Sequence, residues 1–252
     1  MMKTLEGKVA IVCGGARDIG RAVSEKLAAS GAKTVVNYFN KPEDGEATVA
    51  AIEAAGGTAI AVRGDMTSEA DVAKLVAEAR QAFGDSIDIL VNVVGGLVAR
   101  KPLQEMDMEF FERLMRLNVT STFLTCKEVV PHMPAGSSII NFASQAGRDG
   151  GGPGASAYAT SKGAVMTFTR AMAKELGPSN IRVNGVCPGM ISTTFHDTFT
   201  KDEVRANVAA GTPLKREGQA SEVADLVAYL ASGESSFITG TNLDINGGLV
   251  FS

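Results

Sequence analysis

Short apolar runs alternate with longer amphipathic ones along the whole chain. Residues 8–13, 34–38, 58–63, 87–92, 137–143, 182–187 and 241–245 read as strands. Residues 20–30, 42–55, 69–83, 108–130, 157–176 and 221–231 read as helices between them. Parallel strands need long crossover connections, and this alternation supplies them. The pattern predicts an α/β fold, a doubly wound parallel sheet of seven strands with helices on both faces. No linker, repeat or low-complexity tract interrupts it, so residues 1–252 are expected to form one domain.

Bulk properties exclude several function classes. The chain is 45% apolar and 21% charged, which is ordinary for a globular protein large enough to need no disulfide or metal. A net charge of -4 offers no basic face for nucleic acid. No apolar run reaches membrane-spanning length, and the first residues enter a strand pattern without a charged leader. A cytoplasmic protein that does not bind membranes is expected. Cys13, Cys126 and Cys187 lack CxxC spacing and read as reduced core residues. With only His132 and His196 present, no metal site is expected.

The first strand runs through Cys13-Gly14-Gly15-Ala16-Arg17-Asp18-Ile19-Gly20 into a helix. Glycines at such a turn let backbone approach a phosphate, and the helix start offers free N–H groups and a positive dipole end. The turn makes the sheet Rossmann-type and points to a dinucleotide held by Gly14, Arg17, Asp18, Ile19 and Gly20. An acid ending the second strand would bind the ribose of NAD, but this chain has Asn37-Tyr-Phe-Asn-Lys41. Asn37 is the contact expected at the ribose in its place, and Arg17 and Lys41 are suited to a 2′-phosphate, which favours NADP(H) over NAD(H). Asp65, followed by Met66, is either an adenine contact or a turn residue. Asn92 and Gly95 end the fourth strand, where glycine permits close approach to a cofactor and Asn92 either joins it or bonds neighbouring backbone.

The chemistry concentrates in Tyr158-Ala-Thr-Ser-Lys162. Four residues apart on a helix, a phenol and an ammonium leave the same face. Tyrosine has an ordinary pKa of about 10, and a nearby ammonium lowers it. The pair is a candidate acid/base for a hydroxyl proton. Ser144 follows the fifth strand, where a hydroxyl is placed to bond a substrate oxygen. Asn118 is a polar amide in an apolar helical stretch and needs partners. Pro188, Gly189, Ile191 and Thr193 follow the sixth strand and are placed to line the cofactor.

Together these motifs resemble the short-chain dehydrogenase/reductase family over essentially the whole chain. Residues 13–20 are similar to its TGxxxGxG turn and 92–95 to its NNAG. Asn118, Ser144, Tyr158 and Lys162 match its catalytic tetrad, and Pro188, Gly189 and Thr193 its nicotinamide segment. The departures are Cys13 for threonine, Asp18 for the middle glycine, Val93 and Val94 for Asn-Ala, and extra glycines before Tyr158. The resemblance implies an NAD(P)(H)-dependent oxidoreductase that moves hydride between nicotinamide and a small-molecule carbonyl or alcohol. Tyr158 would exchange the proton, Ser144 hold the oxygen, Lys162 bind the ribose and lower the Tyr158 pKa, and Asn118 help hold a relay water. A homotetramer is implied, through the helices carrying Asn118 and Tyr158 and the segment 238–252.

Three stretches, 95–103, 148–154 and 194–196, resemble parts of bacterial reductases of 4-deoxy-L-erythro-5-hexoseulose uronate. Gly96, Arg100, Arg148, Gly151 and His196 are the substrate residues this implies, with cations for a carboxylate and glycine backbone for hydroxyls. The alternatives are a 3-oxoacyl thioester reductase, with Arg113, Arg116 and Lys127 facing an acidic carrier, or another sugar or polyol dehydrogenase. A cofactor-binding regulator without turnover is the remaining alternative.

Overall fold

A computed structural model describes residues 4–251. Residues 1–3, where the absence of a leader is read, and Ser252 of the expected tetramer contact lie outside the described residues.

Among the described residues, seven strands form one parallel sheet: β1 (Val9–Cys13), β2 (Lys33–Tyr38), β3 (Thr58–Arg63), β4 (Ile89–Asn92), β5 (Ser138–Phe142), β6 (Arg182–Pro188) and β7 (Asn242–Ile245). Their order is β3-β2-β1-β4-β5-β6-β7. The chain winds outward from β1 to β3, then restarts at β4 on the other side of β1. That reversal opens a crevice beyond the carboxyl ends of β1 and β4, where ligands of such sheets bind. The register places Cys13 beside Asn92, and Asn92 beside Asn141, on one level at that edge.

Period-two alternation sends successive strand residues to opposite faces. Ile11 and Leu90 join one apolar layer, while Val12 and Val91 join the other. The first layer packs on α3 (Glu69–Phe83), α5 (Ser121–Val129) and α7 (Ser156–Leu176). The second packs on α1 (Asp18–Ala29) and α10 (Ala220–Ala231). Between α1 and α3 lies α2 (Pro42–Ala54). The doubly wound parallel sheet is therefore as expected, with strand limits moved by one or two residues.

The helix expected over 108–130 is not continuous. It divides into α4 (Met108–Met115), a widened π turn (Arg116–Thr120) and α5. Asn118 stabilises the break: its Nδ2 donates to the Leu114 carbonyl at 3.0 Å and competes with the regular ladder. Three helices were not apparent in the hydropathy pattern: α6 (Ala146–Asp149), α8 (Thr194–Phe199) and α9 (Asp202–Gly211). None of the three contains a buried residue, so none carries an apolar stripe.

Candidate active site

The turn after β1 is held by Asn37. Its Oδ1 accepts the Gly14 N–H at 3.0 Å, and its Nδ2 donates to the Gly64 carbonyl at 3.1 Å. Asn37 is only 2% exposed. This corrects its assignment as a ribose contact: the amide is consumed inside the protein and braces the turn. Asn92 is corrected in the same way. Its Nδ2 donates to Asn141 Oδ1 at 2.9 Å and its Oδ1 accepts from Thr125 at 2.7 Å, with both groups buried. Met66 is a core side chain packed with Val62 and Leu75, and Ile191 is buried beside Val223 and Val227, so neither presents its side chain to a ligand. Asp65 has one oxygen committed to the Thr67 N–H and hydroxyl, as a turn residue does.

The turn itself fits a dinucleotide. Gly14 has φ 76°, and a Cβ on Gly20 would collide with the Gly14 carbonyl oxygen. Arg17 gives α1 no side-chain cap, so no N-cap side chain takes up the first-turn N–H groups that a phosphate would use. Arg17 and Lys41 are both exposed beside this turn. Asp18 is held at φ 50° in the left-handed region, and its carboxylate accepts from Thr194. Nothing in the local sequence forecast that contact; the only signal was an aspartate where the motif has glycine.

The four expected catalytic residues converge beyond β4 and β5. Ser144 follows β5, and Tyr158 and Lys162 project from the first turns of α7. A hydrogen bond from Ser144 acts to lower the Tyr158 pKa, but burial of the phenol outweighs it and the net shift is upward. The net direction is therefore opposite to the lowering expected from Lys162. Lys162 Nζ donates to the Phe142 carbonyl at 2.7 Å and lies 5.9 Å from the Tyr158 ring centroid. Burial pushes the lysine itself down to about 8. Asn118 is fully buried, and its amide both accepts from the Gly96 N–H at 2.9 Å and donates to the Gly96 carbonyl at 3.0 Å. A methyl on Gly95 would stand 2.5 Å from Asn118 Oδ1 and 2.8 Å from Lys162 Nζ. Glycine there lets the loop after β4 lie directly against both residues.

Two neighbours in sequence join the two halves of the cleft. Thr194 bonds Asp18 in the cofactor turn. Phe195, the next residue, lies with its ring 6.2 Å from that of Tyr158. Thr194 and Phe195 therefore bridge the glycine turn and Tyr158. Pro188, Gly189 and Thr193 form the segment that leads from β6 to this point, with Thr193 as the residue preceding α8. Phe199, which sequence reasoning missed, stacks 5.1 Å from Phe195 and completes an aromatic wall with His196, itself 5.1 Å from Phe195. Burial, then Arg205, holds the His196 pKa below its ordinary value.

Of the expected substrate cations, Arg100 stands at this wall. Its Nη1 donates to the Pro153 carbonyl at 3.1 Å and its Nε to the Phe199 carbonyl at 3.4 Å. It thereby ties the loop after β4 to the glycine-rich loop, which includes Gly151, and to α8. Gly96 lies on the same loop, on Asn118. Arg148 is corrected: its Nε donates to Asp244 at 2.6 Å and it also bonds the Asn242 carbonyl. The guanidinium is spent on β7 because the carboxylate and carbonyl there neutralise and orient it.

Comparisons with known proteins agree with this geometry. A family model described as enoyl-(acyl carrier protein) reductase matches residues 14–250. An uncharacterized oxidoreductase of Methylorubrum extorquens is 38% identical, over 98% of this chain and 100% of its own. A blue fluorescent protein from a metagenomic library, solved in complex with NADPH, is 34% identical with a TM-score of 0.92, covering 98% of this chain and 100% of that one. The NADH-dependent reductase A1-R′, responsible for alginate metabolism, is 32% identical with a TM-score of 0.90, covering 100% of both chains.

Proposed function

The chain belongs to the short-chain dehydrogenase/reductase family and is an NAD(P)-dependent oxidoreductase of carbonyl and alcohol groups; on that premise we propose that it reduces a small keto- or aldehyde sugar acid, of which 4-deoxy-L-erythro-5-hexoseulose uronate is the type. The observation that supports the reading is the join at Thr194 and Phe195, which links Tyr158 to the cofactor turn. Nicotinamide, when bound, supplies the hydride. Tyr158 Oη donates a proton to the substrate carbonyl oxygen, and the Ser144 hydroxyl donates a hydrogen bond to the same oxygen. The raised Tyr158 pKa keeps the phenol protonated at neutral pH, which suits a proton donor in the reducing direction. Lys162 keeps two further N–H donors beyond the one given to Phe142, and these are available to a ribose.

Arg100 supports an anionic substrate. It bonds two carbonyl oxygens and forms no ion pair with a carboxylate among the described residues, which leaves its exposed guanidinium open to an anion beside the aromatic wall. Phe195 and Phe199 supply an apolar face for a ring, and the Arg100 guanidinium suits a carboxylate. NADPH is the proposed donor because Arg17 and Lys41 flank the turn and no acid ends β2. The similarity to the NADH-dependent reductase of alginate metabolism supports the substrate class but not that cofactor preference. We place the protein in the cytoplasm as a homotetramer: no described helix is long and apolar enough to cross a membrane, and Phe123 and Phe251 are exposed on two of the expected contact regions.

The experiment is a carbonyl panel run with NADPH and with NADH, on wild type and Tyr158→Phe. Keto-uronates should be reduced, with NADPH preferred, and Tyr158→Phe should bind cofactor yet lose about 10²–10⁴ in kcat. Reduction of acetoacetyl thioesters with keto-uronates ignored would overturn the substrate, and full turnover by Tyr158→Phe the proton donor.

A further inference from the structure

Asp18 occupies a position with φ 50°, where a residue other than glycine is uncommon. Such a conformation persists only where the surroundings hold it in place. Here the surroundings are Thr194. Asp18 Oδ1 accepts its backbone N–H at 3.0 Å, and Oδ2 accepts its hydroxyl at 2.6 Å. The residues are 176 positions apart, so the contact joins the first crossover to the last. A carboxylate is an acceptor only, and Thr194 supplies two donors in the right places. The nearest cation, Arg17 Nε, is 4.0 Å away on a side chain 71% exposed, which makes it a weak competitor.

Thr194 begins α8. Phe195 covers Tyr158, and at the other end the Phe199 carbonyl accepts from Arg100 at 3.4 Å. No residue of α8 is buried, so an apolar core does not hold it in place. The helix is held by polar pins: Asp18 at its start, Arg205 on Asp197 in its middle and Arg100 at its end. We infer that Asp18 is a positioning residue: with Thr194 it forms a clasp that docks α8 across the cleft, sets Phe195 against Tyr158, and must open for the dinucleotide to enter or leave. The inference rests on the dinucleotide reading of the cleft and goes beyond it. The direction of the effect separates the clasp from simple electrostatics. A carboxylate that acted only by repelling phosphates would, on removal, slow cofactor release. A clasp, on removal, speeds it.

The test uses Thr194→Val, which removes one of the two bonds, and Asp18→Gly, which removes both. In the cofactor-free protein, trypsin cleavage after Lys201 and Arg205, just beyond α8, should quicken from wild type to Thr194→Val to Asp18→Gly. Release of bound NADPH, followed by stopped-flow fluorescence, should quicken in the same order, by about tenfold for Asp18→Gly, the factor expected for a charged hydrogen bond. Unchanged or slower release in both variants overturns the clasp, even where cleavage quickens. Should Asp18→Gly fail to fold, Thr194→Val alone decides, since it keeps the backbone donor and the local chain. Wild type that binds neither NADPH nor NADH overturns the reading of the cleft, while the cleavage order still reports whether the Asp18–Thr194 contact holds α8.

Discussion

Wild type should gain stability relative to Lys162→Met as the pH rises. Lys162 is 4% exposed, and burial pushes its pKa from 10.5 down to about 8. Below about pH 8 the side chain is charged in both folded and unfolded chains, and the fold carries the full penalty of burying that charge. Above it the native amine gives up its proton, while the unfolded chain keeps its own until about 10.5. The unfolded state then binds more protons, so stability rises with pH across that window. From pH 7 to pH 10 the gain is roughly 2.5 kcal/mol, because each tenfold change in a proton-binding equilibrium is worth about 1.4 kcal/mol. Methionine has similar length and no proton, so the variant lacks the gain. Tyr158 and the three cysteines titrate in both proteins and cancel to first order. The neutral amine still donates to the Phe142 carbonyl, so that bond does not enter the slope. Urea unfolding of both proteins without cofactor, at one protein concentration and at pH 7, 8, 9 and 10, measures the difference. Wild type should gain on the variant steadily above pH 8. A difference that stays flat, or moves the other way, refutes the claim that this lysine is buried at a cost.

Gly20→Ala should weaken dinucleotide binding by at least about 100-fold, roughly 2.7 kcal/mol, because the new methyl collides with the Gly14 carbonyl; fluorescence titration giving a wild-type Kd would show that the turn can move aside. Arg148→Ala should lower stability by about 2 kcal/mol through the loss of its bonds to Asp244 and Asn242 and leave the substrate KM alone. A raised KM at unchanged Tm would return Arg148 to the cleft. Asn118→Ala strips Gly96 and Leu114 of their partners and should cost about 2–3 kcal/mol in thermal or chemical unfolding, together with most of kcat; normal kcat in a destabilised protein would confine the residue to bracing.

The sheet was legible because its central strands β1, β4 and β5 are buried on both faces and so read as largely apolar runs, with helical spacing between the strands. Tyr158 and Lys162 were legible as a pair because their separation is local. Asn37, Asn92 and Arg148 were misread for a common reason. An amide at a strand end, or a guanidinium in the segment beyond one, looks the same in sequence whether it faces a ligand or the protein, and the deciding partners, Gly64, Asn141 and Asp244, lie far along the chain. Helices α8 and α9 escaped notice because, without buried residues, they have no periodicity to detect. The direction of the Tyr158 shift was missed because spacing says nothing about solvent, and here loss of water dominates.

The widened turn at 116–120 has an evolutionary corollary. A π turn equals one residue inserted into a regular helix, and each residue rotates the helix by about 100°. Everything after Thr120, including the Thr125 that reaches Asn92, owes its azimuth to that surplus residue. Point changes at 116–120 can loosen the bulge but cannot re-phase the screw. A one-residue deletion there would, swinging Thr125 and Cys126 off the sheet and turning charged neighbours inward. The gain or loss of this bulge among related chains should therefore track indels rather than substitutions.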